Sequence, residues 1–192
     1  MIGYKRNSLY IKAKEIFEQD CRDVKLDDQF EQWKDVMNHY GFEHLGSGSN
    51  GSAYMYPGYS WVFKIFRGDD AYLCFIRYVL SNQDNPNLPK IKGGIIQITS
   101  DTYLVRLEKL HPLLPGEYDK ISVVIDDMAY SLIDRRSYHE LSNHQKRSIN
   151  KFPWIYKFLK YWCDNIVYDL DLRESNIMVR GDTPVLLDPV SL

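Results

Sequence analysis

From Ser8 to Tyr40 the apolar residues recur at helical spacing, in two runs. Leu9, Ile11, Ile16 and Phe17 mark one stripe over 8–20; Phe30, Trp33, Val36 and Met37 mark a second over 27–40, which Gly41 ends. These stripes predict two amphipathic helices, each with a face to bury. From Phe42 the pattern shortens to apolar and aromatic pieces, YMY at 54–56 and SWVFKIF at 60–66, separated by glycines and by Pro57-Gly58. That predicts strands joined by tight turns. Leu73, Phe75, Ile76 and Val79 predict a helix over 70–80, and the Asn- and Pro-rich NQDNPNLP at 82–89 predicts a loop.

Two more strands are expected in IIQITSDTYLVRLEKL (95–110), around a Ser100-Asp101 turn, and His111 to Gly116 forms a connector with two prolines. Residues 117–135 and 143–166 read as helices. In the second, Trp154, Ile155, Phe158, Leu159 and Trp162 face a core while Lys157 and Lys160 take the opposite side. The closing stretch, IVYDLDLRESNIMVRGDTPVLLDPVSL, alternates short apolar strands with charged turns. This order predicts an α+β fold of two lobes divided near 110–116, without internal repeats. The domains expected are a helical extension (1–41), a strand-rich lobe with one helix (42–110) and a helical lobe ending in short strands (111–192).

Composition narrows the partners. At 44% hydrophobic and 26% charged, the 192 residues suit an ordinary folded chain. A net charge of −2 gives no global attraction to nucleic acid or to a membrane surface, so neither is expected as a partner, and any anion must be recognised locally. Cys21, Cys74 and Cys163 lack CxxC spacing, which argues against a disulfide framework or a zinc site, and the five histidines contain no HExxH pair. Charges interrupt the apolar positions of MIGYKRNSLYIKAKEIFEQD, which is neither a signal peptide nor a membrane span. A reducing, cytoplasmic setting is expected.

Three stretches could carry chemistry. Gly46-Ser47-Gly48-Ser49-Asn50-Gly51, with Ala53 after it, reads GxGxxGxA, and residues without Cβ let backbone N–H groups come close to phosphate oxygens. Taken alone, the motif fits a plain glycine hairpin equally well. Strands on both sides argue against a dinucleotide fold, which needs a helix after the glycines. Lys64, inside WVFKIF, shares a strand face with Val62 and Phe66; such a lysine either meets an anion or guards a sheet edge against aggregation. Asp171 and Asn176 flank a tight loop and Asp188 ends the next apolar strand, so a hairpin could gather three oxygen-bearing groups suited to magnesium. Asp and Asn are also ordinary turn residues. A calcium-binding EF-hand loop is a poor rival, because Glu174 stands where that loop needs glycine.

The joint order is more telling than any part. GxGxxG, a strand lysine 13 residues on, D-x-x-x-x-N, then an aspartate 12 residues further is the order of parts in protein kinases. With FEHLGSGSNGSAY, VFKI, YLVRLEKL and SNIMVRGDTPVLLDPVSL, the chain resembles the protein-kinase-like fold, and more closely the serine/threonine kinases of lytic, Autographiviridae-type bacteriophages. The resemblance covers about 42–66, 103–110 and 166–192.

It implies a minimal two-lobed kinase with an N-terminal helical extension and a truncated C-lobe, using ATP and Mg2+ to phosphorylate Ser/Thr hydroxyls of host proteins during host takeover, by transcription shut-off or counter-defence. In that reading Gly46, Gly48 and Gly51 cover the phosphates and Lys64 holds the α- and β-phosphates. Asp171 orients the acceptor hydroxyl, Arg173 stands where a phosphate-binding lysine is common, Asn176 and Asp188 bind magnesium, and Glu108 to Leu110 form the hinge beside adenine. A homodimer or a complex with a host protein is compatible with it. The chain departs from the family in carrying Asp169-Leu170 in place of His-Arg, Asp-Pro-Val in place of Asp-Phe-Gly, and no glutamate midway along 70–80. Its last residue comes four after Asp188, without an activation segment. The alternative reading is a pseudokinase that binds nucleotide or a host protein without transfer. A small-molecule kinase is a weaker third, for lack of His-Gly-Asp and a helical substrate pocket.

Overall fold

The structure is a computed structural model and describes residues 8–20, 29–48, 51–68, 70–133, 138–166 and 168–191. It is a mixed α+β chain whose strand pairings are antiparallel. Two compact units divide it: 1–69 with 90–109, and 70–89 with 110–192.

In the first unit, helices α1 (Ser8–Asp20) and α2 (Gln29–His39) precede strands β1 (Glu43–Ser47), β2 (Gly51–Met55) and β3 (Trp61–Arg67). After the second unit's first segment come β4 (Ile96–Gln97) and β5 (Thr102–Glu108), giving a five-stranded sheet in the order β1-β2-β3-β5-β4. Directly opposed residues share a face, so register and alternation define two sides. One carries Tyr54, Phe63, Ile65 and Leu104, which join Ala13, Ile16, Trp33 and Met37 in one buried core. The two helices are therefore part of this unit's core, where the sequence reading set 1–41 apart as an extension. Their apolar stripes supply Ala13, Ile16, Trp33 and Met37 to that face, and burying a side chain such as Trp33 or Phe63 contributes about 1.5–3 kcal/mol.

The second unit begins with α3 (Asp70–Ser81), then β6 (His111–Pro112), α4 (Glu117–Ile133), a 3-10 turn at Tyr138–Glu140, α5 (Asn143–Lys151) and α6 (Pro153–Asn165). β7 (Asp169–Leu170), a 3-10 turn at Glu174–Asn176, β8 (Ile177–Arg180), β9 (Thr183–Leu186) and β10 (Val190–Ser191) complete it. The helix at 70–81 thus belongs with the second unit rather than with the strand-rich lobe: Phe75 and Tyr78 pack on Phe158 of α6, with ring centroids 5.8 and 5.4 Å apart. The connector at 111–116 contributes β6, which pairs with β8. The strands form a three-stranded sheet, β6-β8-β9, and a separate pair, β7-β10.

One expected helix, 143–166, is two. Phe152 breaks it at φ −132° and ψ 66° because Pro153 lacks an N–H and its ring excludes helical backbone at the residue before it. Pro153 then serves as the first residue of α6, where its fixed φ suits a helix start. α5 opens on a capping box: Gln145 N–H donates to Ser142 Oγ at 3.2 Å and Ser142 N–H to Gln145 Oε1 at 3.0 Å. Among the described residues, no helix is long and apolar enough to cross a membrane.

Candidate functional site

The pairing of four strands sets Gly46, Ala53, Lys64 and Val105 in one cross-strand row, on the sheet face opposite the two helices. The neighbours of half-buried Lys64 toward the glycine hairpin are thus a methyl and a hydrogen. A bulge makes this register, because His44 opposes Tyr54 and Gly46 opposes Ala53, leaving Leu45 between them. The turn closes with Gly48 N–H donating to the Gly51 carbonyl at 2.8 Å. Ser49 and Asn50 lie outside the described residues.

The three glycines are not equivalent. A Cβ at Gly51 would lie 2.7 Å from the Ile65 carbonyl oxygen and 3.0 Å from Phe66 Cβ, so close approach of β3 demands glycine there. At Gly46 and Gly48 a Cβ would meet nothing within 4 Å, and neither has a positive φ. The space over these two exposed residues is open to a ligand. Ser47 Oγ sits 2.8 Å from both His44 Nε2 and Ser52 Oγ, tying the two strands of the hairpin together. Glu108 N–H donates to the Lys90 carbonyl at 2.9 Å and its Oε1 accepts from Lys90 N–H at 2.5 Å, while Leu110 falls in the second unit.

In the second unit the backbone gathers Asp171, Asn176 and Asp188. Asp171 N–H donates to the Pro189 carbonyl and Leu187 N–H to the Asn176 carbonyl, both at 2.8 Å, so Asp188 is bracketed by bonds to the two ends of the loop. β7 pairs with β10 and β8 with β9, which closes that loop from both sides. Asn176 Nδ2 donates to the Asp171 carbonyl at 3.0 Å, and Asn176 Oδ1 has Ser175 Oγ 3.5 Å away, too far for a strong bond.

Arg173 Nε donates to both Asp171 carboxylate oxygens, at 2.7 and 2.8 Å, and its terminal nitrogen also meets Oδ2. The hydrogen bonds and charge of this guanidinium hold the Asp171 carboxyl below the ordinary carboxylate range, against the opposing effect of burial. The carboxylate stays ionised and is a weaker base for it.

Two residues outside the sequence motifs hold this loop. Tyr118, in the first turn of α4, donates its hydroxyl to the Leu172 carbonyl at 3.0 Å, and Trp162 Nε1 on α6 donates to the Tyr168 carbonyl at 3.1 Å. Burial, then the carboxylates of Asp126, Glu174, Asp119 and Asp171, raise the Tyr118 phenol above its usual value, which keeps it protonated as a donor. Trp162 reads in the sequence as a core residue of α6, and nothing there marks its indole N–H as a donor.

The oxygen chemistry of Asn176 and Asp188, one amide and one carboxylate, suits magnesium, which binds few protein oxygens and keeps the rest of its shell for water and phosphate. Among the described residues, no group of three or more His, Cys, Asp or Glu could hold a metal ion. No protein-family model matches the chain, and no curated protein matches it.

Proposed function

We propose that the chain is an ATP- and magnesium-dependent phosphotransferase acting on Ser/Thr hydroxyls of proteins, of the kind its sequence resembles in lytic bacteriophages, where the acceptors would be host proteins. The observation that carries this reading is the bracketing of Asp188 by backbone bonds to both ends of the Asp171–Asn176 loop. It supports a use for one carboxylate and one amide at a cation beside a second carboxylate.

In this reading the backbone of Gly46 and Gly48, open above, approaches phosphate oxygens, and the Lys64 ammonium neutralises them. Asn176 Oδ1 and a carboxylate oxygen of Asp188 would hold magnesium, which when bound would neutralise phosphate charge. Asp171, kept ionised by Arg173, orients the acceptor hydroxyl and takes its proton once Arg173 turns aside. Arg173 is well exposed, so its guanidinium can move toward an arriving phosphate.

A second reading, binding of nucleotide or protein without transfer, draws support from the same clamp: both Asp171 oxygens accept from Arg173. Incubation with γ-labelled ATP, magnesium and bacterial lysate separates the two. Transfer of label to protein that Asp171→Ala abolishes supports the kinase. Thermal stabilisation by ATP with no label from either protein favours nucleotide binding without transfer, and no response to nucleotide at all overturns the kinase and leaves only the protein-binding form of the second reading.

A further inference from the structure

Loop 82–89 buries two polar side chains that a surface turn would leave in water: Asn85 and Asn87 are 2% and 4% exposed. β9 is the outer strand of its three-stranded sheet, so its far edge has backbone groups to satisfy. Asn87 meets two of them. Its Nδ2 donates to the Pro184 carbonyl at 2.7 Å, and its backbone carbonyl accepts from Leu186 N–H at 2.9 Å. One residue thereby supplies the donor and acceptor that a paired strand would offer to positions two apart.

Asn87 is itself fixed from three directions. Its N–H donates to Asn85 Oδ1 at 2.8 Å, and Asn85 Nδ2 donates to the Trp154 carbonyl, at the start of α6, at 3.3 Å. Arg180, at the end of β8, reaches back to donate to the Pro86 and Leu88 carbonyls on either side, at 2.7 and 3.0 Å. Leu187 follows β9 directly and donates to the Asn176 carbonyl; Asp188 is the next residue. Any slip of β9 is passed to that bond.

We propose that Asn87 is a positioning residue for Asp188 and Asn176: by closing the outer edge of β9 it fixes the Leu187–Asn176 bond, and with it the spacing of the carboxylate and the amide. The functional consequence rests on the reading of those two groups as magnesium ligands; the structural one does not.

Asn87→Asp keeps the shape but sets a carboxylate oxygen against the Pro184 carbonyl. Hydrogen exchange followed by NMR on the full chain should show the Leu186 and Leu187 amides exchanging about tenfold faster, with α6 amides unchanged. Acceleration at Leu186 with Leu187 unaffected would overturn the proposal. Should the variant fail to fold, Arg180→Lys, which keeps the charge but loses the two-armed reach, is judged by the same Leu187 amide. In the labelled-ATP assay the magnesium concentration for half-maximal transfer should rise about fivefold or more, with half-saturation by ATP at fixed free magnesium much less changed. A lowered melting temperature with an unchanged magnesium requirement would overturn the positioning role. Absence of transfer by the parent protein would count against the proposed function, and the exchange result would still decide the role of Asn87.

Discussion

Replacing Gly51 by alanine puts a methyl 2.7 Å from the Ile65 carbonyl oxygen and 3.0 Å from Phe66 Cβ, while the same change at Gly46 or Gly48 meets nothing within 4 Å. The first contact involves the backbone of β3, which cannot swing aside as a side-chain tip would. Relief needs β2 and β3 to part locally, and overpacking of this kind costs roughly 1–3 kcal/mol. For a chain of this size about 2–4 °C accompanies each kcal/mol, so Gly51→Ala should lower the melting temperature by roughly 2–12 °C. Gly46→Ala and Gly48→Ala should stay at the parent value or gain up to about 1 kcal/mol from a stiffer unfolded chain. Urea unfolding of the three variants in parallel, with ATP and magnesium titrated into each, separates folding from binding. Gly46→Ala and Gly48→Ala should melt normally yet lose nucleotide-induced stabilisation. The steric argument fails if Gly51→Ala unfolds with the parent protein, and the phosphate argument fails if the other two keep their full response to nucleotide.

Because Arg173 holds the Asp171 carboxyl below its ordinary value, the pair contributes stability that is present above about pH 4 and is lost as the pH falls through the lowered value. Asp171→Asn should therefore flatten the acid limb of a melting-temperature titration, leaving the profile above pH 5 parallel to the parent's; a steeper acid limb would contradict the assignment. A chain starting at Gly41 loses Ala13, Ile16, Trp33 and Met37 from the first unit's core and should aggregate or bind hydrophobic dyes, and Trp33→Ala in the full chain should cost about 3–5 kcal/mol in urea unfolding. Tyr118→Phe removes the bond to the Leu172 carbonyl and should cost about 1 kcal/mol of stability, with a loss of turnover that exceeds any change in nucleotide affinity.

Periodicity in the chain makes α1, α3, β3 and β5 legible, along with the face that Lys64 occupies, because both 3.6-residue and two-residue repeats are local properties. What a periodic stripe lies against is not local. The stripes at 8–20 and 27–40 announce buried faces without showing that Phe63 and Ile65 receive them. The break at Phe152 was available in the sequence, since Pro153 follows it, and the strength of the apolar pattern on both sides hid it. NQDNPNLP reads as a loop because Asn and Pro are turn residues, and nothing in it signals that Asn87 bonds to Pro184, 97 positions away. The same holds at the candidate site: Asp171, Asn176 and Asp188 are recognisable by order and spacing, while Tyr118 and Trp162 act on them through backbone carbonyls that no residue type signals.

The bulge at Leu45 has a consequence for how this hairpin can vary. An exposed turn of serines and glycines would ordinarily absorb a residue gained or lost without harm. Here Leu45 is the one unpaired position ahead of the row that runs through Ala53 to Lys64, so it works as a vernier: removing Leu45 or His44 would take away the bulge and its local twist yet leave Gly46 opposite Ala53, in plain alternation with its partner strand. One residue can thus be lost ahead of Gly46 without disturbing the row, and lengthening the hairpin beyond Ser47 while keeping 43–47 intact is the natural way to alter its reach above the lysine.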